Sequence, residues 1–341
     1  MDRAPAVAPE EHPPVTMAAP APPPPRPRHL LGVWAAGLLL VGPALLVGCR
    51  VLDKDGITPV PQLLSLLPWF AVPAALAVLL AAAARHRALT FTAVVVLTAT
   101  GWASLPHTPQ FVTAHGLPLA QVRVLAANVE FGQATGALTE TVRRERPQLV
   151  FVSECDRACG RALTAALATE LPHRASVDAE GSVGSVLLSA YPLRDHRVIP
   201  AVMGMPGATA TIAGVPVRLQ LAHPLPPMPD QVRLWKAELR RIENAAADHT
   251  GPLLVAGDFN ASQDHAAFRS ILETGHLQDA ARLAEESRTP TWPMEGPLPP
   301  FVQIDHVLVS EDFGVRGVRF LDLPGSDHRA VLTDLDLRGE R

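Results

Sequence analysis

Eight polar side chains stand where short apolar runs begin or end, and their types are those of proton transfer and metal binding. Asn128 closes QVRVLAAN, Glu154 closes LVFVSE and His223 closes VRLQLAH, while Asp258 and Asn260 close LLVAGDFN. Asp305 opens IDHVLVS, and Asp327 and His328 lie in GSDHRAV, just ahead of AVLTDLDL. Carboxylate and amide oxygens suit a hard divalent cation. Carboxylate and imidazole are the usual groups for moving protons. Each residue also has a plain structural alternative. Asn128 and Asp258 could form turns, Glu154 could cap a following helix, and His223, before a proline, could be a surface loop residue. As an ordered set, each member at a strand boundary, they are hard to obtain by chance. Strand ends gathered on one rim make a polar cleft above an apolar core.

The elements that must position them begin near Gln121. Short β-branched runs read as strands, and they alternate with amphipathic stretches at 136–146, 157–170, 230–247 and 264–274 that read as helices. Asp230 and Asp264 are placed to cap the last two. The alternation implies stacked sheets covered by helices, an α/β or α+β sandwich. His306, beside Asp305, should point away from the cleft. Cys155 and Cys159, four apart, share a helical face and could either bond or remain two thiols.

From about Val122 to Leu337 the chain resembles the endonuclease/exonuclease/phosphatase superfamily. GDFN, IDHVLVS and SDHRAV carry the resemblance most specifically. NVEFG, GSVLLSAYPL and TPTWP carry it more weakly. It implies a four-layered α/β sandwich of the DNase I-like kind and a metal-dependent phosphoric ester hydrolase using Mg2+ or Mn2+. Under it, Asn128, Glu154 and Asp327 are metal residues, with Glu130 in support behind them. Asp258 orients and deprotonates water, and Asn260 positions water or substrate. His223 and His328 donate to phosphoryl oxygens, and Asp305 fixes the His328 tautomer.

The N-terminal third is different in kind. Residues 1–28 are a Pro/Ala-rich tail that cannot bury enough apolar surface to fold. Apolar runs at 30–49, 59–84 and 88–105 contain no Asp, Glu, Lys or Arg. Each is near the ~20 residues that cross a bilayer, so three transmembrane helices are expected across a 29–105 anchor. A linker at 106–120 and a catalytic domain at 121–341 follow. Arg26 and Arg28 before the first run, and Arg85 and Arg87 before the third, favour a cytoplasmic N-terminus. The catalytic domain then lies outside the cytoplasmic membrane.

Charge bears on the substrate. From Gln121 onward there are 22 Arg and Lys against 28 Asp and Glu, so this region carries a net −6, and Lys236 is its only lysine. Nucleic-acid binders normally carry a basic footprint, and Arg233, Arg240 and Arg241 on one helix are the nearest approach to one. A membrane-tethered nuclease is thus possible but not favoured, and an inactive binding module is a further alternative. Apolar runs followed by such a domain are similar to the membrane-bound teicoplanin-resistance proteins of actinomycetes. That resemblance implies a lipid-linked, polyprenyl diphosphate substrate.

Overall fold

In β1 (Pro118–Asn128), Val122, Val124 and Ala126 bury in one core while Leu125 and Ala127 bury in another. Successive side chains of a strand point to opposite faces, so a strand buried on both sides reads as a near-continuous apolar run. The same division holds in β2 (Leu149–Ser153), with Phe151 facing one way and Val150 and Val152 the other. In β8 (Leu253–Asp258) it separates Leu254 from Val255. The computed structural model describes residues 27–106 and 116–339. Residues 1–26 of the expected tail and 107–115 of the expected linker lie outside them.

The remaining strands are β3 (His173–Val177), β4 (Ser185–Ser189), β5 (Leu193–Val198), β6 (Pro206–Ile212), β7 (Val215–Ala222), β9 (Gln278–Asp279), β10 (Asp305–Val309), β11 (Phe313–Asp322) and β12 (Arg329–Arg338). They form two mixed six-stranded sheets, ordered β11-β12-β1-β2-β4-β3 and β5-β6-β7-β8-β10-β9. The sheets face each other across Val122, Phe151, Leu187, Leu219, Leu254 and Val307. On the outer face of the first sheet lie α5 (Thr135–Glu145) and α6 (Arg157–Ala166), through Leu138, Val142 and Leu163. On the outer face of the second lie α7 (Val232–Ala247) and α8 (Ala266–Thr274), through Trp235, Leu239, Phe268 and Ile271. The short α9 (Ala280–Leu283) follows β9. The order helix, sheet, sheet, helix is the four-layered sandwich expected.

Two helix caps differ from expectation. Asp230 and Asp264 do not cap; Gln231 and His265 occupy those positions without a side-chain cap bond. Asp264 instead binds Arg288 at 2.6 Å. The first amides of α8, those of Ala266 and Ala267, donate to the Asp55 carboxylate at 2.7 and 3.0 Å. A cap supplied from 211 residues away has no local sequence signature.

The anchor also departs from expectation. Only α1 (Pro27–Val51) contains a stretch, His29–Val51, long and apolar enough to cross a membrane, so the described residues hold one such helix rather than three. The second apolar run is broken into α2 (Val60–Leu64), a 3-10 turn at Leu67–Phe70 and α3 (Ala71–Ala83). Pro59 and Pro61 stand at the start of α2, where proline is tolerated, and Pro68 falls in the 3-10 turn between α2 and α3, where its missing backbone donor interrupts α-helical bonding. The third run forms α4 (Arg87–Ala103), which, like the apolar stretch Leu67–Ala83, is shorter than a span. α3 and α4 pack along α1 through Ala36, Leu40, Ala77, Ala81 and Ala93. Their outward faces are apolar, with Val72, Leu79, Phe91 and Val95 exposed.

Candidate active site

Strand pairing brings the expected residues to one end of the sandwich. β1 and β2 run parallel with Asn128 beside Ser153, so Glu154 leaves the sheet next to Asn128. β7 and β8 run parallel with Ala222 beside Gly257, which places His223 next to Asp258. β8 and β10 run antiparallel with Asp258 opposite Asp305. Gly257 sits at φ +144°, where a Cβ would collide with the Ala222 carbonyl oxygen. Glycine is therefore what lets β7 and β8 close at this point.

The Asn128 amide nitrogen donates to Glu154 Oε1 at 3.2 Å and to Asp258 Oδ2 at 3.1 Å. Its oxygen accepts from the Glu130 N–H at 3.0 Å. In this orientation Asn128 bridges two carboxylates rather than offering a cation its oxygen. Asp305 Oδ2 pairs with His328 Nδ1 at 2.8 Å, and His328 Nε2 then points between Asp258 at 3.8 Å and Asp327 at 3.7 Å. His223 Nε2 lies 4.0 Å from Glu154. Asn260 stands just beyond the strand at φ +46°; its backbone N–H donates to Asp258 and its amide nitrogen to the Pro224 carbonyl. Asn260 thus leaves the strand but stays beside Asp258.

Burial and charge divide the titratable groups. Burial pushes the Asp258 carboxyl up, against the pull of the His328 charge. Burial alone would lower His328, but Asp305 and Asp258 outweigh it and hold the imidazolium well above the ordinary histidine range. His223 has no carboxylate in hydrogen-bond reach, and burial drops it to about 3. One histidine is thus charged at neutral pH and the other neutral. Burial also raises Glu154, and it raises Glu130 with help from Asp327 and Glu295. The stabilisation that His328 draws from Asp305 is complete below the ordinary imidazole range and is lost as pH climbs through the raised value. Asp305→Asn should therefore make His328 titrate at lower pH in an imidazole NMR titration. It should also cost activity on the order of a hundredfold. An unchanged titration would detach Asp305 from this role.

Two groupings could hold a cation. Asp258, Asp305 and His328 each offer an atom within 4.8 Å of the others, but the imidazole–carboxylate hydrogen bond already occupies part of that set. Glu154 Oε2 is buried without a partner while its side chain keeps 17% exposure at the cleft. A bare, buried carboxylate oxygen beside an open mouth fits a hard cation.

The remaining polar residues divide clearly. Asp327 anchors the rim, its N–H donating to Glu130 Oε2 at 2.9 Å. Sequence reasoning gave no role to Trp292, whose indole N–H donates to Asp327 Oδ2 at 2.9 Å. Nor did it find Thr291, whose hydroxyl accepts from the backbone of Ile304 and Asp305, or Ser326, which bonds the Asn128 carbonyl and the His328 N–H. Thr291 and Trp292 lie in the TPTWP stretch and Ser326 in SDH, so position was the signal available. His306 turns away from the cleft, as expected, to Asp279 and the Ala261 carbonyl. Cys155 and Cys159 form a disulfide.

Solved structures share this architecture. A humanized TDP2 of D. rerio superposes with a TM-score of 0.55 at 14% identity, over 63% of this chain and 99% of its own. D. rerio TDP2 complexed with a single-strand DNA product superposes with 0.55 at 13%, over 64% and 99%. A functionally unknown conserved protein from Enterococcus faecalis V583 gives 0.53 at 18%, over 63% and 100%. No curated protein matches the chain. The model of the Endonuclease/Exonuclease/phosphatase family matches residues 125–328, a span that opens within β1 and closes on His328, and the chain belongs to that family.

Proposed function

We propose that this chain is a divalent-metal-dependent phosphoester hydrolase, tethered to a membrane by α1, with a catalytic unit running from about residue 121. Family members are typically metal-dependent hydrolases of phosphoester bonds. The observation that carries the reading is one cleft holding a charged His328–Asp305 pair, a buried Asp258 and an unpartnered Glu154 oxygen.

Glu154, with Asp327 and Asn128 nearby, would hold the cation, and a bound Mg2+ or Mn2+ would supply positive charge to the phosphoryl oxygens. For Asn128 to ligate, its amide would have to present oxygen. The protein groups do the rest. Asp258 takes a proton from the attacking water, which its raised affinity for protons suits at neutral pH. His328 donates to a phosphoryl oxygen in its charged form, where charge accumulates as the bond breaks. His223, neutral and with both ring nitrogens unpartnered, gives a second hydrogen bond. Asn260 is fixed close enough to Asp258 to position the water.

A single crossing by α1 with its N-terminus inside puts the catalytic unit outside the cytoplasmic membrane. The Cys155–Cys159 disulfide supports that side, because such bonds persist in oxidising compartments. The tether and the acidic balance favour a lipid-linked phosphoester, such as a polyprenyl diphosphate, over DNA. The nuclease reading draws support from the fold shared with a TDP2 seen with single-strand DNA. Assaying the full chain in detergent against polyprenyl diphosphate, an aryl phosphodiester and DNA, with Mg2+, Mn2+ or EDTA, separates the readings. Metal-dependent, EDTA-sensitive release from the lipid is the expected result. Cleavage of DNA alone installs the nuclease, and no hydrolysis with either metal removes the enzyme.

A further inference from the structure

The segment joining α1 to α3 does not hang free; it is bonded into the catalytic unit. Asp55 caps α8, and Asp53 reaches Arg269 at 2.6 Å. Lys236 donates to the Gly56 carbonyl, and the Pro61 carbonyl meets the His265 ring at 2.8 Å. Thr58 and Gln62 donate to the Pro229 and Pro227 carbonyls, in the loop that follows His223. At the end of α4, Arg288 donates to the Ser104 carbonyl. These contacts lie at the end of the bundle where α1 stops, α3 starts and α4 stops. The catalytic unit therefore has a fixed height relative to α1.

That height can be read from aromatic residues. Trp and Tyr collect where hydrocarbon meets water. Trp34 is exposed near the start of α1, and Trp69 and Trp102 are exposed at the opposite end of the bundle. Between Trp34 and Val51, α1 rises about 26 Å at ~1.5 Å per residue, close to the ~30 Å of a hydrocarbon core. The second aromatic level touches the active site through a short chain of contacts. The Trp69 indole donates to the Phe301 carbonyl at 3.3 Å. The Phe301 ring packs edge-on to Trp292 at 6.0 Å, and Trp292 holds Asp327. In segments that adjoin site residues, Met228, Leu298 and Phe131 are more than half exposed. Met228 lies between the two prolines whose carbonyls the anchor binds. Leu298 is in the loop tied to Asp327 through the Met294 N–H. Phe131 follows Glu130.

We propose that this apolar rim rests on the bilayer surface, so that the site opens at headgroup level and takes phosphoesters of membrane amphiphiles laterally. The occupant of the rim is the lipid surface that α1 enters. The proposal rests on the tethered-hydrolase reading above and deepens it. Solvent-exposed apolar groups beside a catalytic mouth gain by burial in the interface, and the bonded 53–62 segment keeps the cleft from rotating away.

The test uses the full chain with Cys49→Ser in nanodiscs. A bimane label is placed by Met228→Cys at the rim or by Asp248→Cys, at the end of α7 away from the cleft. Lipids carrying a headgroup nitroxide should quench the label at 228 and leave that at 248 bright. In the unlabelled protein, Met228→Asp combined with Leu298→Asp should lower hydrolysis of nanodisc-borne polyprenyl diphosphate at least about tenfold, the scale of withdrawing an apolar side chain from a burying surface. Hydrolysis of a water-soluble aryl phosphodiester should be unchanged. Equal quenching at both positions, or an equal loss on both substrates, overturns the proposal. If the parent protein hydrolyses neither substrate with Mg2+ or Mn2+, the hydrolase reading fails, and the quenching comparison still decides the docking.

Discussion

Asp258→Asn is expected to lower kcat/KM for phosphoester hydrolysis by about a thousandfold, within the range general acid–base groups supply. The substitution is nearly isosteric and the position is 2% exposed, so the loss should come without a loss of fold. Asn260 N–H can still donate to the new side-chain oxygen, as it does to Oδ1 at 2.8 Å, and the Asn128 amide, which now donates to Oδ2, has to turn its oxygen toward the new amide nitrogen. What disappears is the group that can take a proton from water, together with a negative charge that helps keep His328 protonated. The wild-type pH profile should carry the signature of the same residue. A base works only when deprotonated, and burial raises the pH at which Asp258 loses its proton. Activity should therefore climb through neutrality instead of reaching its plateau near pH 5, where an ordinary aspartate would be fully ionised. Retention of activity within about tenfold, with an unmoved profile, would transfer the role of base to another residue.

How much of this site the sequence disclosed depended on how local its cause was. Strand ends were legible because burial on both faces forces apolar runs, and a polar residue that ends such a run stands out. Asn128, Glu154, His223, Asp258 and Asp305 all stand out that way; register aligns them within each sheet, and the face-to-face packing of the two sheets brings the two groups together. The long-range partners were not legible. Nothing around Asp55 announces that it caps a helix 211 residues away, and nothing around Trp292 announces a bond to Asp327. Such pairings are decided by how loops from separate layers meet, and local composition does not encode that. The anchor shows the opposite error. Apolar content was read correctly, but content alone does not set helix length. Pro68 falls in the 3-10 turn that divides the second run, whereas α1 continues through Pro43 for its full 25 residues. Orientation of the Asn128 amide is a third case: residue type suggested an oxygen ligand, and the neighbouring carboxylates attract its nitrogen instead.

Glu154→Gln should separate metal binding from stability more sharply than any other change. Glu154 is held at φ +55° with one carboxylate oxygen buried and unpartnered. Burial raises its proton affinity, so in the absence of metal its ionisation works against the fold. That cost appears as pH rises through the raised value and is absent below the ordinary carboxylate range. Glutamine removes the charge, so metal-free Glu154→Gln should melt at or above the wild-type temperature at pH 8. Metal reverses the order. A ligand present at a hundred times its dissociation constant stabilises a fold by about 2.7 kcal/mol, and wild-type protein should show an upward melting shift with Mn2+. In the variant that shift should vanish, calorimetric Mn2+ affinity should fall by at least about a hundredfold, and hydrolysis should fall with it. A carboxylate kept bare inside a folded protein at a stability cost is what a cation site requires. If Glu154→Gln lost stability without metal and kept the metal-induced shift, Glu154 would be a structural residue, and Asp258, Asp305 and His328 would become the cation site.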